Sequence, residues 1–142
     1  VFTGEYRHSV DEKGRIAVPA RFRAQLAGGA YVSRWIDGCL AIFPAPAWDE
    51  LAAKVAGLPI SDPGSRAFAR FLFGGAIEAE LDRQGRVLLP AYLREWAGLG
   101  GEAVVLGARD HAEIWAPDRW EAVRRELTDP AALAGRLEGL GI

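Results

Sequence analysis

Asp11-Glu12-Lys13-Gly14-Arg15-Ile16-Ala17-Val18-Pro19-Ala20 returns half a chain later as Asp82-Arg83-Gln84-Gly85-Arg86-Val87-Leu88-Leu89-Pro90-Ala91. Both copies read Asp-x-x-Gly-Arg, three apolar residues, Pro-Ala. A shared frame of turn, charge, strand and helix start in a chain of 142 residues marks an internal duplication. A half of about 70 residues would bury only roughly 60% of its unfolded surface. The two halves are therefore expected to share one core.

Outward from the motif, the pattern is strand, turn, strand, helix. In residues 1–10, Tyr6, His8 and Val10 alternate with Glu5, Arg7 and Ser9, the period of a strand. Gly14 suits a turn position with positive φ, and Asp11 can accept hydrogen bonds from the amides that follow it. The chain is expected to reverse there as a hairpin, with residues 15–18 returning as a second strand. Pro19 suits the first turn of a helix, Phe22 and Leu26 lie four apart on one face of it, and Gly28-Gly29 stops it.

Residues 31–36 and 39–43 read as strands joined by a tight turn at Asp37-Gly38. Trp48, Leu51, Val55 and Leu58 form one helical stripe. Residues 59–65 have linker composition, and a helix over 66–73 turns Phe68, Phe71 and Leu72 inward with Arg66 and Arg70 on another face. The second half repeats the order: a strand over 76–81, the second motif, a return strand over 87–89, and a helix opened by Pro90 that carries Leu93 and Ala97. One extra residue in 98–101 shifts the repeat spacing from 71 to 72, after which Val104, Ile114, Trp115 and Trp120 match Val32, Ile42, Phe43 and Trp48. A last helical segment over 131–140 follows Asp129-Pro130.

Half of the residues are hydrophobic and a quarter charged, as in an ordinary soluble globular protein. No apolar run reaches membrane-helix length and no secretory leader is evident, so the expected location is cytoplasmic. Met is absent. The single cysteine, Cys39, excludes an internal disulfide or a multi-cysteine zinc site and reads as a small buried strand residue. The net charge of −2 conceals segregation: residues 1–35 carry six basic and three acidic groups, whereas residues 100–142 carry five and eight. The basic segments surround the repeated motif, and local potential is what a phosphate backbone senses.

Catalysis has little to stand on. His8 and His111 lack a partner in a nucleophile setting, no phosphate-binding glycine motif occurs, and no metal or other cofactor is expected. Asp11 and Asp82 could form an acid/base pair, but their place at the heads of glycine turns favours capping. Each turn presents Gly followed by Arg, with Lys13 added in the first and Arg83 in the second. A guanidinium can fork onto phosphate oxygens or a guanine edge, and a hairpin turn is slim enough to approach a groove. Alternatively Arg15 and Arg86 fold back on Asp11 and Asp82 as exposed salt bridges, which add little to stability.

The blocks Gly4-Glu5-Tyr6, Asp11-Glu12-Lys13-Gly14-Arg15, Pro19-Ala20-Arg21-Phe22-Arg23, Asp37-Gly38-Cys39-Leu40, Gly74-Gly75-Ala76, Asp82-x-x-Gly85-Arg86 and Leu89-Pro90 closely resemble, in order and spacing, the MraZ family of bacterial transcriptional regulators. The resemblance implies an α+β fold: two AbrB-like swapped-hairpin repeats around a pseudo-twofold, double-split β-barrel core flanked by helices. On that basis the first repeat is expected over 1–58, a linker and connecting helix over 59–75, the second repeat over 76–128 and a helical tail over 129–142.

The resemblance further implies a ring-like homo-oligomer that binds repeated boxes of double-stranded promoter DNA in the nucleoid. It would repress the division and cell-wall gene cluster, its own gene included. The expected DNA-binding residues are Lys13, Arg15, Arg83, Arg86 and Arg7, on turns shaped by Asp11, Gly14, Asp82 and Gly85. Neither a small-molecule substrate nor a membrane is expected as a partner. Two features depart from the family pattern: Val1 stands where the family usually has Met, and the motif centres differ, Glu12-Lys13 against Arg83-Gln84. A different reading, a ring-forming protein-interaction scaffold without a sequence-specific DNA role, fits the acidic last helices and their tryptophans.

Overall fold

The first strand, β1 (Glu5–Ser9), keeps the expected alternation, with Glu5, Arg7 and Ser9 exposed and Tyr6 and His8 turned toward the protein. The turn after it reverses the chain as expected, and β2 (Arg15–Ala17) follows. These two strands do not, however, form a hairpin ladder. The residues just past β1 make one bridge to β2, Val10 with Ile16, and the backbone bond from Asp11 N–H to Arg15 O at 3.0 Å. Beyond that bridge the two strands part and pair with strands of the other half.

The computed structural model describes residues 1–142 and contains two ladders. The larger is an antiparallel sheet in the order β1-β7-β8-β4-β3-β5, built with β3 (Ala30–Arg34), β4 (Leu40–Pro44), β5 (Ile77–Ala79), β7 (Glu102–Gly107) and β8 (Ala112–Trp115). The smaller is a ribbon of β2 with β6 (Arg86–Leu88). Thus β1 of the first half completes the β7-β8 hairpin of the second, and β5 of the second completes the β3-β4 hairpin of the first. The exchange has a physical cause. Each half presents only a two-stranded hairpin, which is marginal in water, and gains a third strand only from the other.

The register displays the internal symmetry. At the centre of the ribbon Ile16 faces Val87, and at the centre of the sheet Ala41 faces Glu113. Both are pairs of equivalent positions in the two repeats, so one pseudo-twofold axis passes between them. The main core lies along it: Ile16, Val18, Phe22 and Leu26 pack with their counterparts Val87, Leu89, Leu93 and Ala97, none more than 5% exposed.

Helices α1 (Ala20–Leu26) and α4 (Ala91–Ala97) supply the inward faces of that core. Pro19 and Pro90 stand at the N-cap rather than inside the first turn. On one flank α2 (Ala45–Ala56) and α3 (Pro63–Gly75) bury Trp48, Val55 and Leu72 against Ala41 and Phe43. On the other, α5 (Pro117–Leu127) packs Trp120 on Trp115, Val104 and Cys39. The final helix, α6 (Pro130–Leu137), buries no residue and ends before Leu140.

Two local expectations need correction. Helix α3 starts at Pro63, inside the segment read as linker, because the Asp62 carboxylate accepts the Gly64 N–H at 3.1 Å and Pro63 takes the first helical position. The β3-β4 connection spans residues 35–39 rather than a two-residue turn. A short 3₁₀ turn at Ile36–Gly38 retains the positive φ expected of Asp37 (74°) and Gly38 (86°), and Trp35 N–H donates to Cys39 O at 2.8 Å. No helix is long and apolar enough to cross a membrane.

Candidate nucleic-acid interface

The two motif turns are the same object built twice. In the first, Asp11 Oδ1 accepts the backbone N–H groups of Lys13 (3.0 Å) and Arg15 (2.8 Å), and Oδ2 accepts Arg15 Nε–H (2.7 Å). In the second, Asp82 Oδ1 accepts those of Gln84 and Arg86, both at 2.9 Å, and Oδ2 accepts Arg86 Nε–H at 2.9 Å. Gly14 and Gly85 close the turns by donating to Asp11 O (2.9 Å) and Asp82 O (3.0 Å), with φ of 86° and 75°. Of the two readings of the arginines, the structure shows the fold-back one: each guanidinium is held by the carboxylate that shapes its turn.

The electrostatics follow from those bonds. The amide of Arg15, with help from its side chain and from the Lys13 amide, holds the Asp11 carboxyl below the usual carboxylate range. Asp82 is lowered in the same way, chiefly by the Arg86 amide. Both are acceptor-only carboxylates at neutral pH, and neither is suited to proton transfer.

The β2-β6 ribbon sets the turns side by side. Its residues alternate, so Ile16 and Val87 point into the core while Arg15, Ala17, Arg86 and Leu88 share the outer face. Arg86 also reaches across to Asp11 Oδ2 at 3.6 Å. A shallow cleft is lined by Arg15, Asp82, Arg83, Gln84 and Arg86. Lys13 and Arg83 are exposed. The environments are unequal: Arg86 is shared between two carboxylates, whereas Arg15 is paired with Asp11 alone. Arg7 is not brought into this cluster. It lies on the outer strand β1, opposite Val104, and its guanidinium is 3.9 Å from Glu102.

Two residues that the sequence reading did not single out complete the assembly. Arg23 on α1 donates from Nε to Val18 O at 3.0 Å, and its counterpart Arg94 on α4 donates to Leu89 O at 2.9 Å. Each guanidinium lies against the glycine of the opposite repeat's turn. A methyl group on Gly14 would stand 2.5 Å from Arg94 Nε, and one on Gly85 would stand 2.5 Å from Arg23 Cζ. The signal was present in the sequence. Arg23 and Arg94 follow Pro19 and Pro90 by four residues, so the repeated frame runs on to Pro-Ala-x-x-Arg.

The cysteine and the histidines lie outside this cluster. No group of three or more His, Cys, Asp or Glu could hold a metal ion. Cys39 is buried, and that burial, reinforced by the charges of Glu113 and Asp37, pushes its thiol far above the range of a reactive cysteine. His111 is packed on Phe43, with ring centroids 4.7 Å apart, between Asp110 and Glu113. Burial works against its charged form, but the hydrogen bonds to Glu113 and Asp110 prevail and raise its pKa. His8 is lowered by burial and by the charge of Arg23.

Comparison with known proteins fits this architecture. The family described as "MraZ protein, putative antitoxin-like" matches the chain in two stretches, residues 1–71 and 72–134. The chain is 48% identical over 133 residues to the protein named transcriptional regulator MraZ of Roseiflexus castenholzii, covering 94% of this chain and 93% of that one. It is 49% identical over 141 residues to the protein of that name from Thermomicrobium roseum, covering 99% of each. A third such protein, from Herpetosiphon aurantiacus, is 46% identical over the full length of both chains. With a family model matching in two successive stretches that span most of the chain, and relatives of this identity along their whole length, the chain belongs to the MraZ family.

Proposed function

We propose that this protein is a sequence-specific DNA-binding transcriptional regulator whose contacting elements are the two motif turns. The observation that carries the reading is the pairing of those turns on one ribbon face, with Arg15, Arg86 and Arg83 lining a shallow cleft and Lys13 exposed on the first turn. Relatives named transcriptional regulators support it. The repeats take residues 1–58 and 76–128, joined by a linker and helix over 59–75 and followed by a tail over 129–142.

At the interface, Arg15 and Arg86 read base edges, while Lys13, Arg83 and the outlying Arg7 neutralise phosphates. Asp11 and Asp82 hold the two guanidinium groups in place until DNA replaces one of their partners. An exposed carboxylate-guanidinium pair is weak in water, so the exchange is inexpensive. A single turn offers too few cations for specific affinity. A ring-like homo-oligomer gathers many turns, and engaging successive promoter boxes about one helical turn apart raises affinity through effective concentration. Its targets are boxes upstream of the division and cell-wall gene cluster, which it represses together with its own gene, acting in the cytoplasm at the nucleoid.

Binding to a duplex of the chain's own upstream DNA tests the reading, with wild type, Arg15→Ala, Arg86→Ala and the tail control Arg136→Ala compared. Arg15→Ala should weaken binding roughly tenfold or more, the scale of a lost specific arginine contact. Arg86→Ala should weaken it less, and Arg136→Ala should leave it unchanged. Equal binding by all four, insensitive to salt, would remove the motif from the interface and leave the protein-interaction scaffold as the better reading. Ring assembly is tested separately by mass in solution, where a strict monomer at micromolar concentration contradicts it.

A further inference from the structure

We infer that Arg23 and Arg94 are positioning residues of the DNA-contacting turns, and that each sets the turn of the opposite repeat. The inference rests on the proposal that those turns contact DNA. Three observations converge on it.

The first is the contact itself. The Arg94 guanidinium occupies the space that a side chain at position 14 would fill, and Arg23 occupies the corresponding space at position 85. Glycine is thus required at both positions for two reasons: a positive φ, and room for a planar cation from the other repeat. The second is a pair of crossed backbone bonds. Gly14 O accepts Leu89 N–H and Gly85 O accepts Val18 N–H, both at 2.9 Å. The residues that donate to these glycines, Val18 and Leu89, are the ones whose carbonyls accept Arg23 Nε–H and Arg94 Nε–H. Arg23, Val18 and Gly85 therefore form one connected unit, and Arg94, Leu89 and Gly14 form the other.

The third is chemical. Arg23 and Arg94 form no ion pair with a carboxylate, although Arg15 and Arg86 beside them do. Each is half-buried and tied through Nε alone, with Nε and Cζ packed against the glycine. A planar, permanently charged group suits that slot, whereas a lysine ammonium is compact and strongly hydrated. The arrangement pins each turn to the opposite repeat and places a positive charge against its glycine. Because the ties cross the pseudo-twofold axis, each repeat positions its partner's cations.

The crossing gives the inference a signature that general stabilisation would lack. Affinity for the own-upstream duplex is measured for Arg23→Ala combined with Arg83→Ala, and for Arg23→Ala combined with Lys13→Ala. Arg83 lies on the turn that Arg23 supports, so that double variant should lose little more than its worse single variant. Lys13 lies on the other turn, so those losses should multiply. Arg94→Ala should show the reverse, coupled to Lys13→Ala and independent of Arg83→Ala. Coupling energies between contacting groups are routinely resolvable from the near-additivity of separated sites.

Arg23→Lys and Arg94→Lys carry the same cycles in a milder form should the alanine variants unfold. They keep the charge and lose the plane, and should restore less than half of the lost affinity on a logarithmic scale. Full restoration by lysine would reduce the role to charge, and coupling of Arg23 to Lys13 instead of Arg83 would place the support within one repeat. Either result overturns the inference. If Lys13→Ala and Arg83→Ala themselves leave binding unchanged, the failure lies in the DNA-contact reading on which it rests.

Discussion

Asp11 and Asp82 show how one side chain can serve shape and charge together. Each accepts two backbone amides and one guanidinium, and those bonds hold its carboxyl below the usual range. A carboxyl lowered by folding contributes stability that is fully present above the unfolded value, near 3.9 for Asp, and is lost as pH falls through the folded value. Unfolding free energy measured from neutral pH into acid should therefore decline across and below the ordinary carboxylate range, and Asp82→Asn should make that decline shallower. The glycines are equally specific. Gly85→Ala meets both a positive φ and the Arg23 guanidinium, and should lower stability by more than about 1 kcal/mol. Gly100, an exposed glycine where a methyl group would meet nothing, should tolerate the same change.

The β2-β6 ribbon sets two separate turns side by side, because its inner residues are shared core and its outer face carries Arg15 and Arg86. Ile16 and Val87 are each 1% exposed and face one another across the axis. Ile16→Ala should cost about 2–5 kcal/mol, the range for truncating a buried aliphatic side chain, and chemical denaturation reads it directly.

Much of this element-level structure was legible in the sequence. The motif gave both turns, and the spacing of Phe22 with Leu26 and of Trp48, Leu51 and Val55 gave the helices and their inward faces, although Leu58, read as part of that stripe, lies past the end of α2 and is exposed. The partner of each strand was another matter. Alternation in residues 1–10 says which face of β1 is buried, not which strand lies beside it, and a turn as tight as 11–14 suggests a local hairpin. The exchange of β1 and β5 came only from the family resemblance. Arg23 and Arg94 stand out in the repeated frame, but the glycines they lie against belong to the other repeat, about 60 to 80 residues away, and no local pattern shows that contact. The start of α3 was missed for a different reason: Asp62-Pro63-Gly64 has the composition of a loop and the chemistry of a helix N-terminus.

At the scale of the molecule, the pseudo-twofold axis makes neither repeat complete alone. The first half lends β1 to β7 and receives β5 beside β3, and the paired turns rest on arginines of opposite repeats. Residues 1–71 expressed without the second half should show no cooperative unfolding as a monomer, which circular dichroism and sedimentation together would reveal. The same mutual dependence gives the two turns a fixed spacing, a condition for reading DNA as a pair.

Hydrogen exchange on the intact protein, with and without a duplex of its own upstream DNA, locates that surface without any mutation. The expected result is slowed exchange in the peptides covering both 11–17 and 82–88, lost again at high salt as phosphate contacts are screened. Unchanged exchange in both turns, with protection confined to other surfaces such as the α2-α3 flank or the final helices, would contradict the account.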